Sequence, residues 1–219
     1  MKKVYIVQTS GVSTIDLNAL FADLVPDAKV HNLIDDSLLA DVMQNGGLTT
    51  QVVARMCAYF QAAANNGADL IFNQCSSVGE AADIAARLVD VPVVKIDQPM
   101  AEKAVTLGRR IAVVATVKST MRPSCNLVRS AARDAGKDVE VVEYLVDGAL
   151  EVLMKEKNRD KHNAMVLATV RKAEAECDVI VLAQGSMTVL LPELTGITKP
   201  VLTSPRLGVE RARDVLAAR

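Results

Sequence analysis

Short runs of β-branched and other apolar residues alternate along this chain with longer stretches of helical periodicity. Eight such runs have the length of a strand, at 4–8, 28–32, 70–73, 93–96, 111–115, 140–144, 179–183 and 201–203. Strands that alternate with helices are typical of a parallel sheet in an α/β protein. The pattern therefore predicts an α/β fold with eight strands.

The helix that follows Thr49 and Thr50 has the clearest periodicity. Five apolar residues share one of its faces at i, i+3 and i+4 spacing: Val53, Met56, Cys57, Phe60 and Ala64. Thr49 or Thr50 can cap its start, and Gly67 suits its end.

One short sequence occurs twice, with a thiol in its turn only the first time. Residues 68–77 read ADLIFNQCSS, and residues 177–187 read CDVIVLAQGSM. Each is an apolar run that ends in a small polar turn, which in an α/β sheet lies at the carboxyl end of a strand, where ligands bind. Cys75 lies in the first turn, and the second turn has an amide and a glycine at the corresponding place.

The order of elements around these turns is also repeated. Residues 36–39 read DSLL and residues 147–150 read DGAL, and each tetrapeptide precedes a helical pattern. The repeat predicts two similar lobes. The first comprises residues 1–96 plus a final helix at 207–219 that returns to it, and the second comprises residues 97–206.

Composition and charge exclude several classes of partner. Half of the 219 residues are hydrophobic and the net charge is −1, which does not suggest nucleic acid or an anionic membrane as partner. No apolar run reaches the ~20 residues of a membrane span. Four cysteines without a pairing pattern fit a reducing cytoplasm. The chain has only two histidines, and no cluster of cysteines and histidines has the spacing of a zinc site. We therefore expect a cytoplasmic protein without a metal site.

Cys75 is the strongest candidate for chemistry. Ser77 and Glu80 have capping-box spacing, which predicts a helix at 78–88 directly after the thiol. Unpaired N–H groups and the helix dipole at a helix start lower the pKa of a thiol. Two side chains should lie on the buried side of this helix, Ile84 and Leu88. The alternative is a buried structural cysteine.

The other thiols and the histidines fit structural roles. Cys57 lies on the apolar helix face, Cys125 lies near a helix start, and Cys177 precedes a strand. His31 lies in a strand-like run, and His162 should cap a helix or be solvated. His162 is nevertheless the only other group of near-neutral pKa that could reach a binding cleft.

Two further turns after predicted strands are rich in hydroxyl groups. Residues 8–11 read QTSG and residues 116–120 read TVKST. Hydroxyls and backbone N–H groups in such turns can bind a carboxylate or an oxyanion, although they also serve as ordinary caps. No glycine lies in a nucleotide-binding pattern.

Taken together, the repeated halves, the thiol turn and the hydroxyl-rich turns resemble the aspartate/glutamate/hydantoin racemase superfamily. The resemblance implies two pseudo-symmetric α/β lobes, each a mainly parallel four-stranded sheet flanked by helices, with the active site in the cleft between them. It implies a homo-oligomer, no cofactor and a small carboxylic acid as substrate. It also implies proton transfer at the carbon next to a carboxylate or carbonyl, by two cysteines in typical racemases.

The resemblance implies a catalytic role for Cys75, as acid/base or nucleophile. The second cysteine is missing, because Gln184 or Gly185 stands at its place, depending on how the repeats are aligned. The substrate-binding residues that the resemblance implies are Thr9, Ser10, Ser76, Ser77, Thr116, Ser119, Thr120, Gln184, Gly185, Ser186 and the N–H of Met187.

A single thiol leaves several functions open, because a base on one face of a carbanion restores a proton to that face only. His162 or a water molecule could serve the second face of a racemase. A single thiol could suffice for a decarboxylase of the arylmalonate type, or could attack covalently as in maleate isomerases. A protein that only binds a small anion is the non-catalytic alternative.

Overall fold

The computed structural model describes residues 1–11 and 14–219 of the chain. It consists of two compact units. The first unit comprises Met1–Pro99 together with Pro205–Arg219, and the second unit comprises Met100–Ser204.

Strands and helices alternate through the described residues, as the pattern of apolar runs predicts. The strands are β1 (Lys2–Gln8), β2 (Ala28–Ile34), β3 (Leu70–Asn73), β4 (Val93–Lys95), β5 (Arg110–Ala115), β6 (Glu140–Leu145), β7 (Val179–Leu182) and β8 (Val201–Thr203). Each coincides with a predicted strand to within two residues at either end.

The helices have the following bounds: α1 (Thr14–Leu24), α2 (Ser37–Gln44), α3 (Thr50–Asn65), α4 (Gly79–Ala86), α5 (Gln98–Leu107), α6 (Lys118–Asp134), α7 (Ala149–Met154), α8 (Arg159–Glu176) and α9 (Ser204–Ala217). Two 3-10 helices, Ser76–Val78 and Gly185–Glu193, follow β3 and β7. None of the described helices combines the length and the apolar character that a membrane crossing requires.

Each unit contains one four-stranded parallel sheet, which confirms the predicted α/β class. The strand order is β2-β1-β3-β4 in the first unit and β6-β5-β7-β8 in the second. All pairs are parallel, with Val4 opposite Leu70 in the first unit and Ile111 opposite Val179 in the second. The inner strands β3 and β7 are buried throughout, so the turns that follow them start from rigid positions.

Helix α3 begins and ends as the sequence predicts, but its buried face is rotated. The Thr49 side chain accepts a hydrogen bond from the Val52 backbone, and Gly67 adopts a φ of 76° just beyond the helix. Its fully buried residues are Val52, Met56, Phe60 and Ala63. Val53, Cys57 and Ala64, three of the five predicted core positions, are only partly buried.

The predicted bounds of α4 are within two residues of the observed ones, but the prediction of its buried face is wrong. The chain passes through the 3-10 helix first, so α4 begins at Gly79 and ends at Ala86. Alanines at positions 81, 82 and 85 face the core, and this allows α4 to pack closely against α3. Ile84 and Leu88, which we expected to be buried, are 46% and 54% exposed.

Helix α9 packs on the first sheet, opposite the face that α3 and α4 cover. Val209, Ala212 and Leu216 share a core with Ile96 and residues of β1, β3 and β4. The final helix therefore belongs to the first unit, although more than a hundred residues separate it from β4 along the chain.

Candidate active site

Cys75 lies at the carboxyl end of β3, an inner strand of the first sheet. Its backbone is extended, with φ −118° and ψ 123°, and the 3-10 helix begins at the next residue. The Asn73 side chain donates to the Cys75 carbonyl oxygen over 3.1 Å, which fixes the turn from the strand side. The thiol therefore lies at the sheet edge where α/β proteins bind ligands.

The surroundings of the thiol act on its pKa in opposite directions. Cys75 is partly buried, and this burial raises the pKa of its thiol above the usual value, because a thiolate loses hydration there. Hydrogen bonds from Thr9 and from the backbone N–H groups of Ser77 and Val78 oppose this shift without cancelling it. The expected lowering of the pKa by a helix start is therefore wrong, although the donors that would stabilise a thiolate are in place.

The two serines after the thiol have different surroundings. Ser77 is buried, and its side chain also hydrogen-bonds Cys75. Ser76 is partly exposed, and its hydroxyl hydrogen-bonds the carboxyl group of Asp97. Asp97 is 3% exposed, and burial raises its pKa.

The loop after β1 reaches the same thiol. Thr9 is buried and hydrogen-bonds Cys75, whereas Ser10 is partly exposed. Gln8 anchors this loop, because its side-chain amide donates to Asn32 over 2.7 Å and accepts from the Thr14 hydroxyl over 3.1 Å. The first unit thus brings Thr9, Cys75 and Ser77 into direct contact.

In the second unit, the corresponding turn is closed by a pair of side-chain hydrogen bonds. Gln184 Oε1 accepts from the Thr116 backbone N–H over 3.1 Å, and Gln184 Nε2 donates to Thr116 Oγ1 over 3.2 Å. The amide of Gln184 therefore ties the end of β7 to the end of β5.

Backbone pairing decides which residue corresponds to Cys75 in the repeat. The N–H of Asp69 donates to Lys3, and the N–H of Asp178 donates to Arg110 in the same way. Six residues after each aspartate, Cys75 and Gln184 have nearly identical dihedral angles and precede the two 3-10 helices. Gln184 is therefore the counterpart of Cys75, and Gly185 is the counterpart of Ser76.

The Met187 N–H cannot act as the free donor that the sequence suggested. It already donates to the Gln184 carbonyl oxygen over 3.0 Å, closing the first turn of the 3-10 helix, and the Met187 side chain is buried in the core. Gly185 is partly exposed and Ser186 is exposed, so both remain accessible.

Ser119 and Thr120 lie in the first turn of α6 and not in a loop. The helix begins at Lys118, which is exposed, and the Thr120 N–H donates to the Val117 carbonyl oxygen. The Ser119 hydroxyl is buried and finds no hydrogen-bond partner among the described residues. It can therefore donate to a ligand oxygen only if the ligand reaches this first turn.

The remaining thiols occupy structural surroundings. Cys125 is fully buried in α6, and burial raises its pKa to about 12. Cys177 is buried below the amino end of β7, at the opposite end of that strand from Gln184. Cys57 lies on α3 and packs partly buried against its core.

The expected capping or solvated role of His162 is wrong. Asn158 caps α8, since its side chain accepts from the Lys161 N–H over 2.9 Å. His162 is buried, 8% exposed, and its Nδ1 lies 3.1 Å from Asn163 Oδ1. Its ring is a part of the packing of the second unit.

Asp97 lies beside the thiol turn, since it hydrogen-bonds Ser76, and no motif in the sequence pointed to it. It follows β4 in the same way that Cys75 follows β3, so the rule that polar residues cluster after strand ends could have found it. The expected lobe boundary falls directly before Asp97. It therefore assigned Asp97 to the second lobe, apart from Cys75. Among the described residues, no group of three His, Cys, Asp or Glu side chains could hold a metal ion.

Comparison with solved structures identifies the fold. Allantoin racemase from Klebsiella pneumoniae is 16% identical, with a TM-score of 0.71 over 100% of this chain and 89% of that one. Glutamate racemase from Bacillus anthracis is 13% identical, with a TM-score of 0.74 over 99% and 82% of the two chains. Aspartate racemase from Picrophilus torridus is 13% identical, with a TM-score of 0.70 over 99% and 95%.

Comparison with curated protein sequences gives no match. The family model described as Asp/Glu/Hydantoin racemase matches residues 7–212, which is nearly the whole chain. The chain therefore belongs to the Asp/Glu/Hydantoin racemase family.

Proposed function

We propose that this protein is a cofactor-independent racemase or isomerase-like enzyme in which Cys75 is the acid/base. It acts at the carbon next to the carboxylate or carbonyl group of a small acid. Membership of the racemase family supports this chemistry. The observation that carries the proposal is the cluster of donors around one thiol at the end of an inner strand.

The surroundings of Cys75 suit a group that exchanges a proton. Burial keeps the thiol protonated, so it is a ready acid. When it acts as a base, hydrogen bonds from Thr9 and from the N–H groups of Ser77 and Val78 stabilise the thiolate that forms.

A planar enediolate also needs preorganised donors, and the loss of one can cost about 10²–10³ in rate. The hydroxyl of Thr116 accepts from Gln184, so its own proton is available to an anion. The residues we propose for binding the substrate carboxylate or the enediolate are Thr9, Ser10, Ser76, Ser77, Thr116, Ser119, Thr120, Gly185 and Ser186.

A single-thiol decarboxylase is the second candidate, and Gln184 is the observation that favours it. Gln184 is the counterpart of Cys75, and an amide cannot exchange a proton at neutral pH. Its oxygen and nitrogen are both engaged by Thr116. Loss of CO₂ leaves an enediolate that one protonated thiol can quench, which the raised pKa of Cys75 favours.

Proton NMR in D₂O distinguishes the two candidates. The panel contains both enantiomers of aspartate and glutamate, together with allantoin, hydantoins, 2-hydroxy acids and substituted malonates. Cys75→Ser is the test variant. Cys57→Ser is the matched control, since that thiol lies on α3, away from the strand ends.

Each outcome assigns a function. Exchange of the α-hydrogen without carbon loss, abolished in Cys75→Ser and kept in Cys57→Ser, supports the racemase or isomerase. Carbon loss with the gain of one deuterium supports the decarboxylase. Identical behaviour of the wild type and Cys75→Ser with every compound would contradict both and would favour a protein that only binds anions.

A further inference from the structure

Asp97 is a buried acid in the first unit whose charge the fold does not neutralise. It is 3% exposed, and its Oδ1 has no hydrogen-bond partner among the described residues. A buried carboxylate with an unpaired oxygen is costly, whereas a neutral carboxyl group with one unpaired carbonyl oxygen costs much less. The fold therefore favours the protonated acid.

The position of Asp97 connects it to the thiol turn. The N–H of Ile96 donates to the Asn73 carbonyl oxygen over 3.0 Å, so the chain still follows β3 just before Asp97. The carboxyl group of Asp97 hydrogen-bonds the hydroxyl of Ser76, the residue next to Cys75. Asp97 itself is shielded, but Ser76 is partly exposed and can touch a ligand.

The direction of this hydrogen bond decides what Ser76 offers to a ligand. A serine hydroxyl has a single proton. If Asp97 were ionised, Ser76 would give that proton to the carboxylate and present only lone pairs, which repel an anion. If Asp97 is protonated, it can donate to Ser76 Oγ, and the serine proton is free to point at an anionic oxygen.

The charged groups near Asp97 do not stabilise its ionised form enough to outweigh burial. Lys95 is the cation that lowers the pKa of Asp97, but its Nζ lies 2.7 Å from Asp83 Oδ1 and is paired with that carboxylate. Asp83 itself opposes ionisation of Asp97. The hydrogen bonds that the carboxyl group makes with Ser76 and with its own backbone N–H lower the pKa of Asp97, but burial is the largest influence and the net shift is upward.

The second unit has no counterpart of the hydrogen-bonded pair of Asp97 and Ser76. Val93 pairs with Ile71 and Val201 pairs with Ile180, so the counterpart of Asp97 is Pro205. The counterpart of Ser76 is a glycine. The acid, the hydroxyl and the thiol therefore occur together only in the first unit, which contains Cys75.

We infer that Asp97 is a positioning residue that donates its carboxyl proton to Ser76 Oγ and thereby turns the Ser76 hydroxyl toward an anionic oxygen of the ligand beside Cys75. This inference rests on the proposed function, because it assumes that an anion binds next to the thiol.

A pair of alkylating reagents tests the inference without knowledge of the substrate. Iodoacetate carries a carboxylate and iodoacetamide is its neutral analogue, so the ratio of their rates at Cys75 reports recognition of the anion. Changes in thiol reactivity affect both rates and cancel in the ratio. Labelling of the peptide that contains Cys75 is followed by mass spectrometry, which separates it from Cys57.

The variants test whether Asp97 acts on Ser76 as a hydrogen-bond donor or as a negative charge. Asp97→Asn keeps a donor for Ser76, whereas Asp97→Ala removes it, and Asp97→Leu replaces Asp97→Ala if that variant does not fold. Ser76→Ala removes the hydroxyl itself. Asp90→Asn is the control, because Asp90 is an exposed acid of the same unit.

We expect the ratio to fall by about tenfold in Asp97→Ala and in Ser76→Ala, the size of one hydrogen bond to a charged group. It should fall no further in the double variant, and it should stay near the wild-type value in Asp97→Asn and Asp90→Asn.

Three results would overturn the inference. The first is an equal ratio in Asp97→Asn and Asp97→Ala. The second is a rise above the wild type in Asp97→Asn, which would mean an ionised Asp97. The third is a wild-type ratio no higher than that of a free thiol. If the ratios behave as expected but no compound exchanges its α-hydrogen in D₂O, the proposed catalysis fails while the role of Asp97 stands.

Discussion

Gln184 holds Thr116 through two hydrogen bonds, one to its backbone N–H and one to its hydroxyl. Gln184 is also the counterpart of Cys75 in the internal repeat. The same position thus carries a thiol after β3 and an amide after β7, and the amide links the ends of two adjacent strands. The two halves of the chain therefore differ at this position. The first has a thiol, and the second has an amide that links two strands.

Gln184→Ala should destabilise the protein by about 1–3 kcal/mol, because two partly buried hydrogen bonds are lost at a net value of about 0.5–1.5 kcal/mol each. Thermal unfolding measures the effect. Gln61→Ala is the control, since Gln61 is exposed on α3 and should change stability little. An equal effect of the two substitutions would mean that the Thr116 contacts contribute nothing.

Gln184→Cys should give the enzyme a second proton donor at the position where the family resemblance implies one. The expected result is racemisation of a compound whose α-hydrogen the wild type exchanges with retention. Chiral chromatography of the product in D₂O measures it. Gln184→Ser loses the same amide contacts without gaining a thiol, so racemisation by both variants would contradict the explanation.

The thiols should differ in how alkylation depends on pH. Burial raises the pKa of Cys75 above the usual 9.0, and it raises the pKa of Cys125 to about 12. Labelling of Cys75 by iodoacetamide should therefore be slow at neutral pH and increase as the pH rises past 9.0. Cys125 should stay unlabelled in the folded protein throughout that range. Fast labelling of Cys75 at pH 7 would contradict the predicted direction.

The same shift predicts a pH-dependent stability. A thiol whose pKa is raised by folding binds its proton more tightly in the folded state. Its contribution is complete below the pKa of the unfolded chain and is lost as the pH rises through the pKa of the folded protein. Cys75→Ser should therefore lose less stability than the wild type between neutral pH and pH values above 9.0. Denaturant unfolding at the two ends of this range measures the difference.

Local patterns predicted the strands well because each apolar run is short and bounded by polar turns. They failed at the buried face of α4, where Ile84 and Leu88 are exposed and three alanines face the core. The small side chains of Ala81, Ala82 and Ala85 pack against the core that α3 shares. Tertiary packing decides which face of an alanine-rich helix is buried, because alanines allow a close approach that larger side chains prevent.

Some residues of the candidate site could also be predicted from local patterns, and others could not. Cys75, Thr9 and Ser77 could be predicted, because a polar turn at the end of a buried strand is visible in the sequence. The bonds between Gln184 and Thr116 could not, because 68 residues separate the partners. The burial of Asp97 depends on packing around the end of β4, and no local pattern distinguishes a buried aspartate from an exposed one.

Gly208→Ala should destabilise the protein although it lies inside a helix. Alanine normally favours a helix over glycine by about 1 kcal/mol. Here the added Cβ would lie 2.7 Å from the carbonyl oxygen and 3.0 Å from the Cα of Ile96, and a backbone cannot move aside as a flexible side chain can. Helix α9 would have to shift away from Ile96, the residue after β4, and overpacking of this kind costs about 1–3 kcal/mol.

Urea denaturation of Gly208→Ala and Gly47→Ala separates this clash from a general effect of replacing glycine. Gly47 has open space around its Cα and no positive φ, so alanine there should change the free energy of unfolding by less than about 0.5 kcal/mol. A Gly208→Ala protein as stable as the wild type would mean that α9 does not approach Ile96 this closely. Because α9 supplies Val209 and Ala212 to the core behind β3, its displacement should also slow the α-hydrogen exchange proposed for Cys75, since it loosens the strand that leads to this thiol.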